Sequence, residues 1–143
     1  MFIGEFTHSI DSKGRVALPA KFRSSLASGC VVTRGLDNSL IVYTLEEWEK
    51  MAKKLAKLPL TQADARAFSR LMLSGAMDIE LDKQGRVVIP QYLRKYAGFK
   101  SDVVIIGLYN KIEMWDKANW ETYSKDMESE SAEIAEHLTD LGV

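Results

Sequence analysis

The sequence predicts a mixed α+β fold, mainly β, in which two copies of one strand-rich unit share a core. Helices link the copies and one more helix follows the second. Three observations predict this. A 13-residue motif occurs twice, a second block recurs downstream of it in the same order, and apolar stripes of helical period lie outside the copies.

The motif is Asp11-Ser12-Lys13-Gly14-Arg15-Val16-Ala17-Leu18-Pro19-Ala20-Lys21-Phe22-Arg23. It returns as Asp82-Lys83-Gln84-Gly85-Arg86-Val87-Val88-Ile89-Pro90-Gln91-Tyr92-Leu93-Arg94, at an offset of 71 residues. Leu18/Ile89 and Phe22/Leu93 keep their apolar character. Upstream, Gly4 matches Gly75. Downstream the offset becomes 72: Gly35-Leu36-Asp37-Asn38 matches Gly107-Leu108-Tyr109-Asn110, Tyr43 matches Trp115 and Trp48 matches Trp120. A one-residue slip inside a strand would turn its faces over, so the extra residue belongs in a connection. Each unit spans about 45 residues, too few to bury much apolar surface alone, so two copies are expected to pack together, either within the chain or across chains.

Within a unit, Phe6, His8 and Ile10 alternate with polar residues and read as a strand. Asp11 to Gly14 is a turn, with glycine where positive φ is needed. Arg15–Leu18 reads as the strand returning from that turn. Pro19 ends it and opens a short helix carrying Phe22 and Leu26. Val31–Thr33 and Leu40–Tyr43 read as two further strands. Thr44 and Glu47 form a capping-box pattern, and Leu45, Trp48, Met51, Leu55 and Leu58 make one stripe that Pro59 stops. Thr61–Asp64 starts a second linking helix and Gly75 ends it. Asp116 caps a final helix running to about Leu138, with Trp120, Tyr123, Met127 and Ile134 on one side.

The chain has 143 residues, 46% of them hydrophobic and 27% charged, as in one ordinary domain or two small ones sharing a core. The formal net charge is −1, but it is unevenly placed. Residues 126–143 carry six acids and no Lys or Arg, so residues 1–125 hold 14 acids and 19 bases, a net of +5. One cysteine, Cys30, excludes an intrachain disulfide, and two histidines give no metal cluster. No apolar run approaches the roughly 20 residues of a membrane span. The first residues lack a signal-peptide pattern, so a cytoplasmic protein is expected.

The chemistry concentrates in the twin turns. The first presents Lys13 and Arg15, with Lys21 and Arg23 beyond. The second presents Lys83 and Arg86, then Arg94 and Lys95. Arginine's planar fork matches phosphate oxygens and the guanine edge, and a two-stranded ribbon is narrow enough for a major groove. The alternative is local: Asp11 could simply pair with Arg15, and Asp82 with Arg86. Nothing favours an enzyme. There is no Walker loop, no Gly-x-Ser-x-Gly and no His-Glu-x-x-His, and Cys30 and His8 sit in strand patterns. No cofactor, metal or small-molecule substrate is expected.

With both Asp-x-x-x-Arg copies, both Gly-Arg-Val-x-Leu/Ile-Pro runs and the opening Met1-Phe2-Ile3-Gly4-Glu5-Phe6, the chain resembles the MraZ family, in the AbrB-like (SpoVT-AbrB) group of bacterial transcription factors. The resemblance runs from Met1 to about Trp120. It implies a swapped-hairpin, double-psi-like β-barrel made by two AbrB-like repeats, 1–48 and 75–120. The residues themselves add linking helices at 49–74 and an acidic C-terminal helix or tail at 121–143. It implies a nucleoid-associated, ring-shaped homo-oligomer that binds double-stranded DNA at direct repeats upstream of the division and cell-wall gene cluster. Control of that cluster, often repression that includes its own gene, follows. The family signature falls on Asp11, Arg15, Asp82 and Arg86. Charge and placement add Lys13, Lys83, Arg23 and Arg94 as DNA-contacting candidates, with Gly14 and Gly85 as turn formers. The competing reading is an oligomeric protein-interaction or antitoxin-like module, docking through the helical segments 45–73 and 117–138.

Overall fold

The computed structural model describes residues 1–143. The first copy comprises β1 (Phe2–Ser9), β2 (Arg15–Ala17), the short helix α1 (Ala20–Arg23), β3 (Cys30–Arg34) and β4 (Leu40–Thr44). Helices α2 (Leu45–Ala56) and α3 (Ala63–Gly75) lead to the second: β5 (Met77–Ile79), β6 (Arg86–Val88), α4 (Gln91–Ala97), β7 (Asp102–Tyr109) and β8 (Lys111–Asp116). α5 (Lys117–Ser129) and α6 (Ser131–His137) follow.

Six strands form one antiparallel sheet in the order β1-β7-β8-β4-β3-β5, and β2 pairs with β6 in a separate ribbon. The sheet order reads the same backwards when the copies are exchanged. β1 lies on β7 of the other copy, β5 lies on β3 of the other copy, and β4 pairs with β8 at the centre. The pseudo-twofold axis passes between Ile41 and Glu113 in the sheet and between Val16 and Val87 in the ribbon, the self-matched pairs of each register. The sheet ladder is open, with β1 and β5 as its edges.

The expected return of the second strand along the first needs correction. Arg15–Leu18 does not return along β1; the two segments share only an isolated bridge between Ile10 and Val16. Its ladder is with the second copy, Arg15 opposite Val88 and Ala17 opposite Arg86. The reason is burial. Setting Val16 against Val87 puts both over the common core, where they are 1% and 2% exposed.

That core has 18 buried residues drawn from both copies, including Leu18 and Ile89, Phe22 and Leu93, and Leu40 and Ile112. Phe2 and Phe6 meet Phe22 edge-on at 5.2 and 5.4 Å. Two smaller clusters cover the other face of the sheet. Leu55 of α2 and Met72 of α3 pack on Ile41 and Tyr43, while Trp120 of α5 packs on Val104, Ile106 and Trp115. The clusters are matched as well: Tyr43–Trp48 and Trp115–Trp120 have centroid separations of 5.6 and 5.3 Å.

The helix ends follow their capping residues. Thr44 accepts the Glu47 N–H at 3.1 Å, and Asp116 accepts that of Asn119 at 3.4 Å. The reciprocal half of the expected capping box is absent, because the Glu47 carboxylate accepts from Lys50 Nζ and Asn110 Nδ2 instead. The final helix does not run unbroken to Leu138: it stops at Glu130 (φ −104°, ψ 10°) and restarts as α6. Only Trp120 of its stripe is buried; Tyr123, Met127 and Ile134 are exposed. The extra residue of the second copy lies between α4 and β7, where Gly98 caps the helix at φ 66°. No helix is long and apolar enough to cross a membrane.

Candidate nucleic-acid interface

Each motif folds into the same small structure. In the first turn, Asp11 Oδ1 accepts the backbone N–H groups of Lys13 (3.0 Å) and Arg15 (2.9 Å), and Oδ2 accepts Arg15 Nε at 2.6 Å. In the second, Asp82 Oδ1 accepts from Gln84 and Arg86, both at 2.9 Å, and Oδ2 accepts Arg86 Nε at 2.8 Å. The glycine N–H donates back to the aspartate carbonyl in both, Gly14 at 2.9 Å and Gly85 at 3.0 Å. Gly14 and Gly85 stand at φ 85° and 74°. The backbone N–H of Arg15 and then its guanidinium hold the Asp11 carboxyl below its ordinary pKa of 3.8. The N–H of Arg86 does the same for Asp82, against a smaller opposing effect of desolvation.

The local pairing of aspartate and arginine therefore exists, and it leaves the arginine usable. Nε is spent on the carboxylate. The two Nη groups of Arg15 and Arg86 have no partner within the chain, so each guanidinium keeps an end-on pair of donors in a fixed orientation. Both side chains are part-exposed, at 36% and 32%.

The ribbon sets their common direction. Residues paired across a ladder share a face, and so do residues two apart along a strand. Arg15, Val88, Arg86 and Ala17 thus occupy one face, and Val16 and Val87 the buried other. Two strand rises and one strand spacing put the arginine Cα atoms about 8 Å apart. Val88 between them is 52% exposed. Lys13 and Lys83 are exposed without an ion-pair partner, at the third place of the first turn and the second place of the other.

Arg23 and Arg94 are placed differently. Both are partly buried, and each donates Nε to a backbone carbonyl, Arg23 to Leu18 and Arg94 to Ile89, both at 2.9 Å. Each lies against the turn glycine of the other copy. A methyl group on Gly85 would fall on the Arg23 guanidinium, and one on Gly14 would come within 2.6 Å of the Ile89 carbonyl and 2.9 Å of Arg94 Nε. Backbone bonds from Leu18 N–H to Gly85 (3.0 Å) and Ile89 N–H to Gly14 (2.8 Å) complete this reciprocal clasp. From charge and placement in the sequence these two arginines are expected to contact DNA; the structure turns each of them toward the opposite copy's turn. The signal passed over in the sequence is the pairing of each with a glycine 62 or 80 residues away, which only the interleaved topology reveals.

Cys30 is buried, with its Sγ 3.6 Å from the Ile79 carbonyl, and burial pushes its thiol up to about 11. It is unsuited to nucleophilic work.

Matched turns on one face of a two-repeat α+β protein define the class: a repeat protein that presents a paired set of cationic turns. Comparison with known proteins gives its family. A family model described as "MraZ protein, putative antitoxin-like" matches residues 1–71 and again 72–141. The chain is 52% identical over 143 residues to the transcriptional regulator MraZ of Natranaerobius thermophilus, and 50% identical to those of Acetivibrio thermocellus and Caldanaerobacter subterraneus, with the whole of each chain covered. The chain belongs to the MraZ family, which comprises transcriptional regulators and not enzymes.

Proposed function

We propose that this protein regulates transcription by binding double-stranded DNA with the outer face of the β2–β6 ribbon. The observation that carries this reading is the shared direction of Arg15 and Arg86, each held by its aspartate and each with free Nη donors. Arg15 and Arg86 meet base edges or phosphates in the major groove, about 12 Å wide, and Lys13 and Lys83 contact phosphates. Asp11, Gly14, Asp82 and Gly85 shape the turns. Arg23 and Arg94 hold each turn against the opposite copy. The crossed pairing of β2 with β6 is the swapped element of a double-psi-like barrel, in repeats spanning 1–48 and 75–120.

One ribbon makes few contacts and binds weakly. The protein acts as a ring-shaped homo-oligomer on direct-repeat boxes upstream of the division and cell-wall genes, repressing that cluster and its own gene, and it gains affinity through effective concentration. Exposed Ile3, Leu108 and Tyr109 beside the β1 edge support self-association. The test is Arg15→Ala with Arg86→Ala, assayed by DNA retention on a multi-box operator and by light scattering. Loss of retention by an intact oligomer is expected. Unchanged retention would sink the reading and favour an antitoxin-like module docking through α2, α3 and α5.

A further inference from the structure

An open cleft of about 530 Å³ lies on the flank of the first turn. Asp11 and Ser12 form one wall, and Arg94, Lys95 and Lys100 of the second copy form the other. The Asp11 carboxylate is already neutralised by Arg15 at 2.6 Å. Arg94 spends Nε on Ile89 and one Nη on the Ser12 carbonyl at 3.4 Å, which leaves its second Nη free. Lys95 and Lys100 are exposed and take part in no ion pair or side-chain hydrogen bond. The cleft therefore offers three cationic groups and no unpaired anion.

The matching flank of the second turn is less basic: it keeps Arg23 in place of Arg94 and has Lys83 where the cleft has Ser12. Position 24, which corresponds to Lys95, is serine. The counterpart of Lys100 is Ser28 or Gly29, depending on which side of the one-residue slip is used. Thus the ribbon is nearly twofold symmetric and its surroundings are not. A symmetric reader sits equally well on DNA in either direction. A ribbon in a major groove has phosphate walls on both sides, and the flank of the first turn gathers Arg94, Lys95 and Lys100 where its match has only Arg23 and Lys83.

We propose that the cleft formed by Ser12, Arg94, Lys95 and Lys100 is a phosphate-binding site for the DNA backbone beside the first turn, and that it fixes which way each protomer faces along its box. This rests on the DNA-binding reading above. The ligand is a backbone phosphodiester; a free phosphate ion shares its chemistry and is separated by the test.

The experiment measures operator affinity across a salt series for the full-length protein, Lys95→Ala/Lys100→Ala, and Lys95→Arg/Lys100→Arg. Every phosphate that the protein ceases to neutralise should make the slope of log K against log salt shallower by about 0.9. The alanine variant should show at least one such step, keep its preference for operator over scrambled DNA, and be restored by arginine. An unchanged slope overturns the proposal. Saturable binding of inorganic phosphate alone below millimolar concentration, abolished by the same alanines, makes the cleft a free-anion site and also overturns it. If the unaltered protein shows no operator preference, the DNA-binding reading itself has failed. That outcome is distinct from a wild-type slope in the alanine variant.

Discussion

Glycine at the fourth place of each turn is where one methyl group would do most harm. Gly14 and Gly85 both stand at positive φ, and alanine there costs about 1–2 kcal/mol in backbone terms alone. Their surroundings differ. A Cβ at position 14 meets the rigid Ile89 carbonyl, whereas one at 85 meets the Arg23 side chain, which can swing away. Gly14→Ala should therefore destabilise by about 3 kcal/mol and Gly85→Ala by less, read from urea midpoints at equal slope. The reverse order would contradict the clasp. The aspartates make a pH prediction. Asp11 and Asp82 are held below their ordinary value of 3.8, so the stability they lend is complete above about pH 4 and is lost as pH falls through the depressed values. Amide signals of Lys13, Arg15, Gln84 and Arg86 should titrate together with midpoints below 3.8, and midpoints above it would refute the bonding described. At this scale the sequence exposed the turn and its aspartate–arginine pair, because both are local. It did not expose the inward placement of Arg23 and Arg94, whose partners lie on the other copy.

Elements were readable where their cause is local. Thr44 and Asp116 mark helix starts by side-chain bonds within four residues, and Gly75 is the last residue of α3. Thr44→Ala should cost about 1 kcal/mol. Asp116→Ala should cost less through its cap alone, since that bond is 3.4 Å against 3.1 Å for Thr44. Thermal unfolding of both variants checks the order. The partner of β2 was not readable. Alternation tells which residues of a strand face inward, not which strand lies alongside, and three residues are too few to specify a register. The break at Glu130 escaped for a related reason: α5 and α6 carry one continuous polar pattern, and little beyond Trp120 packs on the sheet to signal an end. The basic cleft was hidden too, because α4 and the segment after it reach the first turn only through the interleaving.

At the level of the molecule, the mirrored sheet order leaves neither copy with a core of its own. Chemical denaturation should show one transition whether followed through Trp48 on α2 or Trp120 on α5, and two separable transitions would contradict the shared core. An operator with several boxes should bind far more tightly than one with a single box, and both should weaken steeply with salt. Equal affinity for the two would refute the multivalent account. The repeat announced two matched units but not whether they pack within the chain or across chains, and the family resemblance supplied the rest of the functional reading. What neither supplied was the asymmetry around the ribbon, which arises from single substitutions between otherwise matched segments.

The pairing of β1 with β7 also has a consequence in time. Phe2 finds its ladder partner in Tyr109, so the strand made first stays single until most of the chain has been synthesised. At ribosomal speeds the interval is on the order of 5–20 s. During it the unpaired strand is a template for any complementary strand within reach, including β7 of a nascent neighbour on the same messenger. Crowded translation should therefore yield some exchanged dimers in which two chains complete one another's sheets, and slower initiation should make them rarer.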